Sequence, residues 1–400
     1  MDNKKLHVIN LLPHIYELED MVAFCNNYSR VYIYGTGHNQ EYLLKYFDMC
    51  DIKIEGFVVT DLSRDIPDWV YRKMPIKDVF TVMSEEGSGI IVALPDRYYN
   101  NVIPRFREKG FTDYFIMSEH NKNAIAGQVR PRLKEEMAFE VSLADHCNLS
   151  CQMCDHYSQL SKPNFLNLAQ FEKDIARLGE LYDHKIGYIS LLGGEPTLNK
   201  DIIKIIKLTR SQFPDSQLII LTNGVLLNSW ETAPEGNLWE ALRENKVHIT
   251  VTVYPINLDY EAIEKKAAEY GVSINMSSNI HAKKSTKNVK ISDKHTMKPD
   301  KSIDKFYCVN CLYYNKFNVL KNGRIYMCPV AAHSDIFNSA FNQNLELTEN
   351  DSIDIYKINS WEEIAEFSSR YIPFCSYCDL KHWGRYSEWK ASTKKIEEYI

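Results

Sequence analysis

The chain has 400 residues, 44% of them hydrophobic and 25% charged, with a formal net charge of -6. That length exceeds one ordinary domain and predicts two or three, while the acidic balance argues against a generally nucleic-acid-binding surface. No apolar run is long enough to span a bilayer, and Met1 to Leu11 holds no apolar stretch of signal-peptide length, so neither membrane insertion nor export is expected and a cytoplasmic location is.

The first predicted strand is Val31-Tyr32-Ile33-Tyr34. The tight turn Gly35-Thr36-Gly37 and an amphipathic helix from Asn39 to Phe47 follow it. A second strand, Ile54 to Val59, leads to Asp61, and Gly89 to Leu94 and Tyr114 to Met117 are further strands with a helix between them. The alternation predicts a parallel sheet, a small Rossmann-like unit over residues 1–120. Gly35-Thr36-Gly37 followed by Gln40 is part of a G-x-G-x-x-G pattern whose third glycine is missing, and Asp61 stands where a ribose-binding acid would. Binding of a nucleotide or nucleotide-sugar and a scaffold for docking a partner or carrier both remain open. Ser118 to Lys134, polar and irregular, reads as a linker.

The second module, 136–280, opens with a strand from Ala138 to Ala144 that runs into a cysteine loop. Helix Leu168 to Tyr182, strand Tyr188 to Leu192, helix Lys200 to Phe213 capped by Asn199 and strand Leu218 to Leu221 follow. A helix at Leu238 to Glu244, a strand at His248 to Val253, a helix at Asp259 to Tyr270 and a strand at Val272 to Met276 complete five repeats, which fit a barrel or part of one. Functional loops in such barrels follow the strand C-termini. His281 to Lys305 carries eight lysines and three aspartates; it reads as a solvated loop or as a lid whose lysines meet a phosphorylated substrate. The third module, 306–400, contains a hairpin (Phe317 to Leu320, turn Asn322-Gly323, Ile325 to Met327), a helix at Trp361 to Arg370 and a charged C-terminal helix.

Ten cysteines in a reducing compartment more often bind metal or do chemistry than form disulfides. Cys25 and Cys50 have no partner at metal spacing and read as packing residues. Cys147, Cys151 and Cys154 lie on one short loop, where three thiolates can hold three irons of a cubane and leave the fourth iron without a protein ligand. A zinc knuckle built on Cys151 and Cys154 is the alternative, but it leaves Cys147 and the downstream Gly193-Gly194-Glu195-Pro196 turn without a task.

Cys147-x3-Cys151-x2-Cys154 and Gly193 to Pro196 together resemble the cluster motif and the second motif of the radical SAM superfamily, over residues 138 to 280. The resemblance implies a partial (β/α)6 TIM-like barrel in an α/β protein, a 4Fe-4S cluster on the three cysteines, and S-adenosylmethionine bound through Gly193, Gly194, Glu195 and Pro196. A 5'-deoxyadenosyl radical that abstracts hydrogen from a carbon centre is the implied reactive species. Met153, between the last two cysteines, then stands near the adenine. Asn223 in Thr222-Asn223-Gly224 belongs to a strand-end motif or to a plain turn, and Thr252 reaches the ribose or carboxylate or serves as a β-former. His156 donates a hydrogen bond to a group that holds the cluster, or is an ordinary loop histidine.

Cys311, eleven residues, Gly323, four residues and Cys328 resemble the opening of the SPASM and twitch auxiliary-cluster domains, with Cys375 and Cys378 as the remaining pair. The resemblance implies one auxiliary 4Fe-4S cluster; a four-cysteine zinc site is the alternative. Cys308 competes with Cys311 for the ligand position. Whichever of Cys308 and Cys311 is left over becomes a candidate catalytic thiol, since epimerases of this family return a hydrogen atom from a cysteine whereas dehydrogenases pass an electron to the auxiliary cluster. The expected reaction is oxidation or epimerisation of an activated or carrier-linked sugar or glycan, with a reductase or flavodoxin-type electron donor. The alternatives are a radical peptide maturase and, outside enzymes, a zinc-stabilised nucleotide-binding or interaction protein.

Overall fold

A computed structural model describes residues 15–37, 40–63, 74–277, 291–292, 297–301, 311, 313–380 and 387–400. The chain divides into two compact units, Met1–Arg130 with Asp304–Cys311, and Pro131–Ile303 with Leu312–Ile400. No helix among the described residues is long and apolar enough to cross a membrane.

The first unit is a five-stranded parallel sheet of β1 (Arg30–Tyr34), β2 (Ile54–Val59), β3 (Ile76–Asp78), β4 (Ser88–Val92) and β5 (Tyr114–Ile116), in the order β3-β2-β1-β4-β5. Both faces are covered, so β4 is apolar on both sides and buried throughout. Among the elements the sequence left unseen are the helix Ile15–Asn26, β3, and the short helix Val79–Val82 that Asp78 of β3 caps. Ser118 to Lys134 is not a linker. Ser118 accepts from Asn121 N and starts the helix Glu119–Val129, which buries Ile125, Ala126 and Val129; a well-capped helix with a narrow apolar stripe looked irregular by composition.

The second unit is built on β6 (Ala138–Ser142), β7 (Tyr188–Leu192), β8 (Gln217–Thr222), β9 (Val247–Thr252) and β10 (Ile274–Ser277), each paired in parallel with the next. A pair of two-residue strands, β11 (Ile291–Ser292) and β15 (Ser387–Glu388), lies apart from it. The sixth parallel strand is β12 (Phe317–Lys321), the first arm of the expected hairpin, and it joins beside β6 rather than beyond β10. Its partner β13 (Arg324–Tyr326) and then β14 (Ser352–Asp354) continue the sheet antiparallel. The C-terminal segment is thus continuous with the barrel sheet.

Helices between the strands begin where their caps dictate. Asn167, Asn237 and Asp259 accept from the first free backbone N–H groups of Leu168–Leu181, Leu238–Glu244 and Tyr260–Tyr270, and the last helix ends on Gly271 at φ 68°. Asn199 Oδ1 accepts from Asp201 N at 2.8 Å, so it caps the turn before the helix rather than the helix itself. Its Nδ2 donates to Leu143 O across the sheet end, and the helix Ile202–Gln212 starts from Asp201 instead. Buried Asp174, on Leu168–Leu181, accepts from Gly323 N at 2.8 Å and Tyr356 Oη at 2.7 Å and so pins the Asn322-Gly323 turn to the barrel.

The charged C-terminal helix does not form among the described residues. The tail runs extended along the cysteine loop, bridging Cys151 to Ala391, and ends in the 3-10 turn Ile396–Glu398. Pairing with that loop satisfies backbone groups that a helix would otherwise satisfy internally, so tertiary context overrides the local propensity. The lysine-rich segment lies mostly outside the described residues, as does Cys308.

Candidate functional site

Both sequence motifs fall at the C-terminal end of the parallel strands, the loop of cysteines after β6 and the Gly-Gly-Glu-Pro turn after β7. The two glycines are required by contact. A Cβ on Gly193, at φ 131°, would stand 2.5 Å from Ala144 O, and one on Gly194 would stand 2.0 Å from His146 O. The turn is zipped to the cysteine loop by Gly194 N to Ala144 O at 2.7 Å and Glu195 N to His146 O at 3.1 Å. Pro196 opens the 3-10 turn Pro196–Leu198 and is buried, a backbone role rather than a lining one.

Glu195 is fully buried. Its Oε1 accepts from Thr197 N at 3.1 Å, Thr197 Oγ1 at 2.5 Å and Thr222 Oγ1 at 2.6 Å, and its Oε2 accepts from Asn223 N at 2.9 Å. Burial pushes the carboxyl up while these donors pull it down, with burial the larger effect. A carboxylate has about four acceptor sites, so Oε2 keeps a lone pair for a further donor such as an ammonium. Glu195 therefore ties the β7 turn to the end of β8. Asn223 extends the tie, donating from Nδ2 to Asn148 Oδ1 at 2.6 Å and to Cys147 Sγ at 3.7 Å.

A cavity of ≈ 320 Å³ is lined by Cys147, Cys151 and Cys154 together with Met153, Gly193, Gly194, Glu195, Asn223 and Thr252. The structure thus brings the expected cluster and nucleoside residues to one place, Pro196 excepted. Met153 holds φ 57°, a conformation costly for a side chain of its size, which turns the loop between the last two cysteines. Burial pushes the Cys147 thiol up to about 12 and the Cys154 thiol up to about 11; both would be held as thiolates only with a metal at hand.

The three sulfurs are not gathered as they would be around one tetrahedral ion. Tetrahedral zinc, with Zn–S bonds of about 2.3 Å, gathers its sulfurs to roughly 4 Å apart. Among the described residues, the group whose ligand atoms all lie within 4.8 Å of one another is Cys154, Asp155 and His156, and Cys147 and Cys151 stand outside it.

Five lining residues were not read as site residues from the sequence, or were read otherwise. His156 faces two carboxylates: Nδ1 lies 2.9 Å from Asp155 Oδ1 and Nε2 lies 3.9 Å from Glu140 Oε2. The Tyr313 hydroxyl donates to Asp155 Oδ2. Tyr254, just beyond β9, hydrogen-bonds Cys151 and packs edge-on against Trp389 at 5.9 Å. Glu140 carried one signal: a lone acid inside an apolar strand, flanked by Phe139 and Val141, both buried on the opposite face.

Burial raises the Glu140 carboxyl to about 7, and Asp155 adds to the rise while His156 opposes it. A carboxyl raised on folding stabilises the protein below its unfolded pKa, and that stability is lost as pH climbs through the folded value. Glu140→Gln should therefore gain on the parent protein between pH 5 and pH 8, by about 3 kcal/mol at most, in parallel urea titrations at the two pH values. Equal differences at both would contradict a buried, ionising Glu140.

Two of the C-terminal cysteines come close to the loop that carries the first three. Cys328 caps the helix Pro329–Ala332, accepting from Ala331 N at 3.4 Å, and Cys375 and Cys378 are joined across the turn Pro373–Tyr377. Cys328 and Cys378 both act on the buried Tyr157 hydroxyl, which burial holds well above its usual pKa. Tyr157 stacks edge-on with Tyr399 at 5.4 Å, and Tyr399 in turn feels Cys154. Cys311 is half-buried and groups with the first unit.

In the first unit, Gln40 donates from Nε2 to Ala93 O at 3.0 Å, lying against Gly35 and Gly37 where the sheet order reverses. Asp61 Oδ1 accepts from Ser63 N and Oγ at 2.9 and 2.6 Å, closing a turn.

Residues 141–260 match the model of the radical SAM superfamily. The chain carries a radical SAM domain. The cofactors of such a domain, a 4Fe-4S cluster and S-adenosylmethionine, fit the three thiols and the Gly-Gly-Glu-Pro turn that line one cavity. Sequence relatives include the GTP 3',8-cyclase of Sulfurimonas denitrificans, 35% identical over 91 residues (23% of this chain, 28% of that protein), and a probable GTP 3',8-cyclase of Pyrococcus horikoshii, 36% identical over 92 residues (22% and 27%). The alignment spans little more than a quarter of these relatives. Among solved structures, BtrN in complex with AdoMet and 2-DOIA overlaps 68% of this chain and 98% of that one at 16% identity and TM-score 0.38. Streptococcus suis SuiB bound to S-adenosylmethionine overlaps 46% and 53% at 15% identity and TM-score 0.24.

Proposed function

We propose that this radical SAM protein abstracts a hydrogen atom from a carbon of an activated or carrier-linked sugar, oxidising or epimerising that centre, with a second 4Fe-4S cluster in the C-terminal segment. What carries this reading is the cavity itself, in which the three cysteines meet a polar wall of Glu140, Asp155, His156 and Tyr313 rather than an apolar one. When bound, the cluster and S-adenosylmethionine supply a carbon-centred radical. The chain's own residues do the rest. Gly193 to Glu195 and Asn223 offer backbone and carboxylate partners to the amino acid end of S-adenosylmethionine, and Thr252 and Met153 flank the nucleoside. Leu192 and Leu221 also line the cavity and would keep water from the reacting carbon.

Support for the second cluster is the approach of Cys328 and Cys378 to Tyr157, with Cys375 one turn away and Cys311 or Cys308 as the fourth ligand. The division into 1–120, 136–280 and 306–400 is then one of labour rather than of compact units, because the last two share one sheet. A flavodoxin-type protein or a reductase would deliver the electron.

Anaerobically reconstituted protein should contain about eight irons, from two four-iron cubanes, and release 5'-deoxyadenosine on reduction. Cys378→Ala is expected to lower the iron content by about four while keeping 5'-deoxyadenosine release in the absence of substrate. Loss of no iron in that variant would remove the auxiliary cluster from the reading. Incorporation of solvent deuterium at the product carbon, abolished by Cys308→Ala or Cys311→Ala, marks epimerisation; an oxidised product without deuterium marks dehydrogenation.

A further inference from the structure

Glu140 stands on the cavity side of β6, in register with Ser190 of β7 and Val319 of β12. Its side chain is 12% exposed and that of His156 is 11%. Glu140 Oε2 and His156 Nε2 face each other at 3.9 Å, too far for a hydrogen bond, and neither atom has a hydrogen-bond partner among the described residues. Buried polar atoms left in that state are rare in folded proteins, and a site that keeps two of them side by side in a cavity wall is shaped for a ligand.

The groups around the pair are occupied and hold it in place. His156 Nδ1 is engaged by Asp155, whose other oxygen accepts from Tyr313. The ring of His333 lies 5.3 Å from that of His156, with its Nε2 on Ser142 Oγ at 3.1 Å and its Nδ1 beside Lys321 Nζ at 3.2 Å. These partners fix the imidazole plane and leave Nε2 directed at Glu140. Both residues line the cavity shared with the three cysteines.

The gap selects the chemistry of what fills it. Two ordinary hydrogen bonds of about 2.8 Å meeting at one atom readily span it. When one of the two atoms carries a hydrogen, a hydroxyl satisfies the pair, because it both gives and accepts a hydrogen bond. In that state an ammonium cannot accept and a carbonyl cannot give. We propose that Glu140 and His156 form a hydroxyl-binding subsite that holds one carbinol of a polyhydroxylated substrate, and thereby aims the substrate ring at the cysteine end of the cavity. This rests on the functional reading above and narrows it to substrates with free hydroxyls.

The test uses crystals of the reconstituted, S-adenosylmethionine-loaded protein soaked in glycerol as the hydroxyl probe. A glycerol oxygen within hydrogen-bond distance of both Glu140 Oε2 and His156 Nε2 is expected, and it should be missing from Glu140→Leu crystals soaked alike. The two side chains closed directly on each other, with no oxygen between them, would overturn the proposal in the wild-type protein alone, so it does not depend on the variant folding. Glycerol bound equally in Glu140→Leu would overturn it too. Release of 5'-deoxyadenosine by the same preparation separates the two claims: its loss with glycerol in place sinks the radical reading and spares the subsite, and the reverse result does the opposite.

Discussion

Cys151→Ala is expected to abolish 5'-deoxyadenosine formation and to remove about four of the eight irons, the largest effect of any single substitution in the chain. On the proposed reading the three sulfurs on the loop after β6 would be the protein's ligands to the first cluster, and two of them would not hold a cubane with one open iron. Folding should be little affected. Cys151 is half-buried, and its backbone stays tied through the bridge to Ala391, with Gln152 N to Lys390 O at 3.0 Å and Ser392 N to Ser150 O at 2.8 Å on either side. Iron analysis, the electron paramagnetic resonance spectrum of the reduced protein and product chromatography check the three parts of the claim. Full iron content in Cys151→Ala, or undiminished 5'-deoxyadenosine, would show that another side chain completes the site and that the radical assignment is wrong.

Glu195→Gln is expected to lower 5'-deoxyadenosine formation by about a hundredfold or more, equivalent to roughly 3 kcal/mol, and to weaken S-adenosylmethionine binding in parallel. The substitution keeps the shape and changes only what the side chain can accept. Oε1 receives Thr197 N–H and Oε2 receives Asn223 N–H. Whichever way the amide is turned, its NH2 therefore faces a backbone N–H, and one buried donor loses its partner at a cost of about 1–3 kcal/mol. Asn223 then shifts against Cys147 and Asn148. Thermal unfolding reports the stability loss, and calorimetric titration with S-adenosylmethionine below the unfolding range reports binding. A lower Tm with unchanged affinity would leave Glu195 as a tie between two strand ends and nothing more.

The two readouts separate because Glu195 serves the fold and the site through different oxygens. Oε1 is saturated by Thr197 and Thr222, whereas Oε2 has a single protein donor. Glu195→Ala removes both functions at once and leaves Thr197 N and Asn223 N without their acceptor, so it should unfold more readily than Glu195→Gln.

Much of the barrel was legible because its signals are local. Strand runs such as Tyr188 to Leu192, the amphipathic helix Leu238 to Glu244 and the Asn322-Gly323 turn each carry signals that act within a few residues. Elements whose stability comes from elsewhere were misread. The tail from Ser387 has the composition of a charged helix but gains its hydrogen bonds from the cysteine loop, and Asn199 looks like a cap but donates across the sheet end to Leu143 O. The helix Glu119–Val129 has too narrow an apolar stripe to show as periodicity.

The sequence by itself determined the cofactor class, because cluster chemistry needs particular atoms at short spacing, and it marked the turn whose two glycines admit no side chain where they meet the cysteine loop. Tertiary structure alone decided what faces that site. Glu140 on β6, Tyr254 after β9 and Tyr313 before β12 are far apart in sequence, and apart from the lone acid in an apolar strand at Glu140 nothing in their local surroundings marks them. They meet because β12 pairs beside β6 and because the barrel curls its strand ends around one cavity. Parallel pairing depends on hydrogen bonds and side-chain burial between segments nearly two hundred residues apart, which no window of sequence contains.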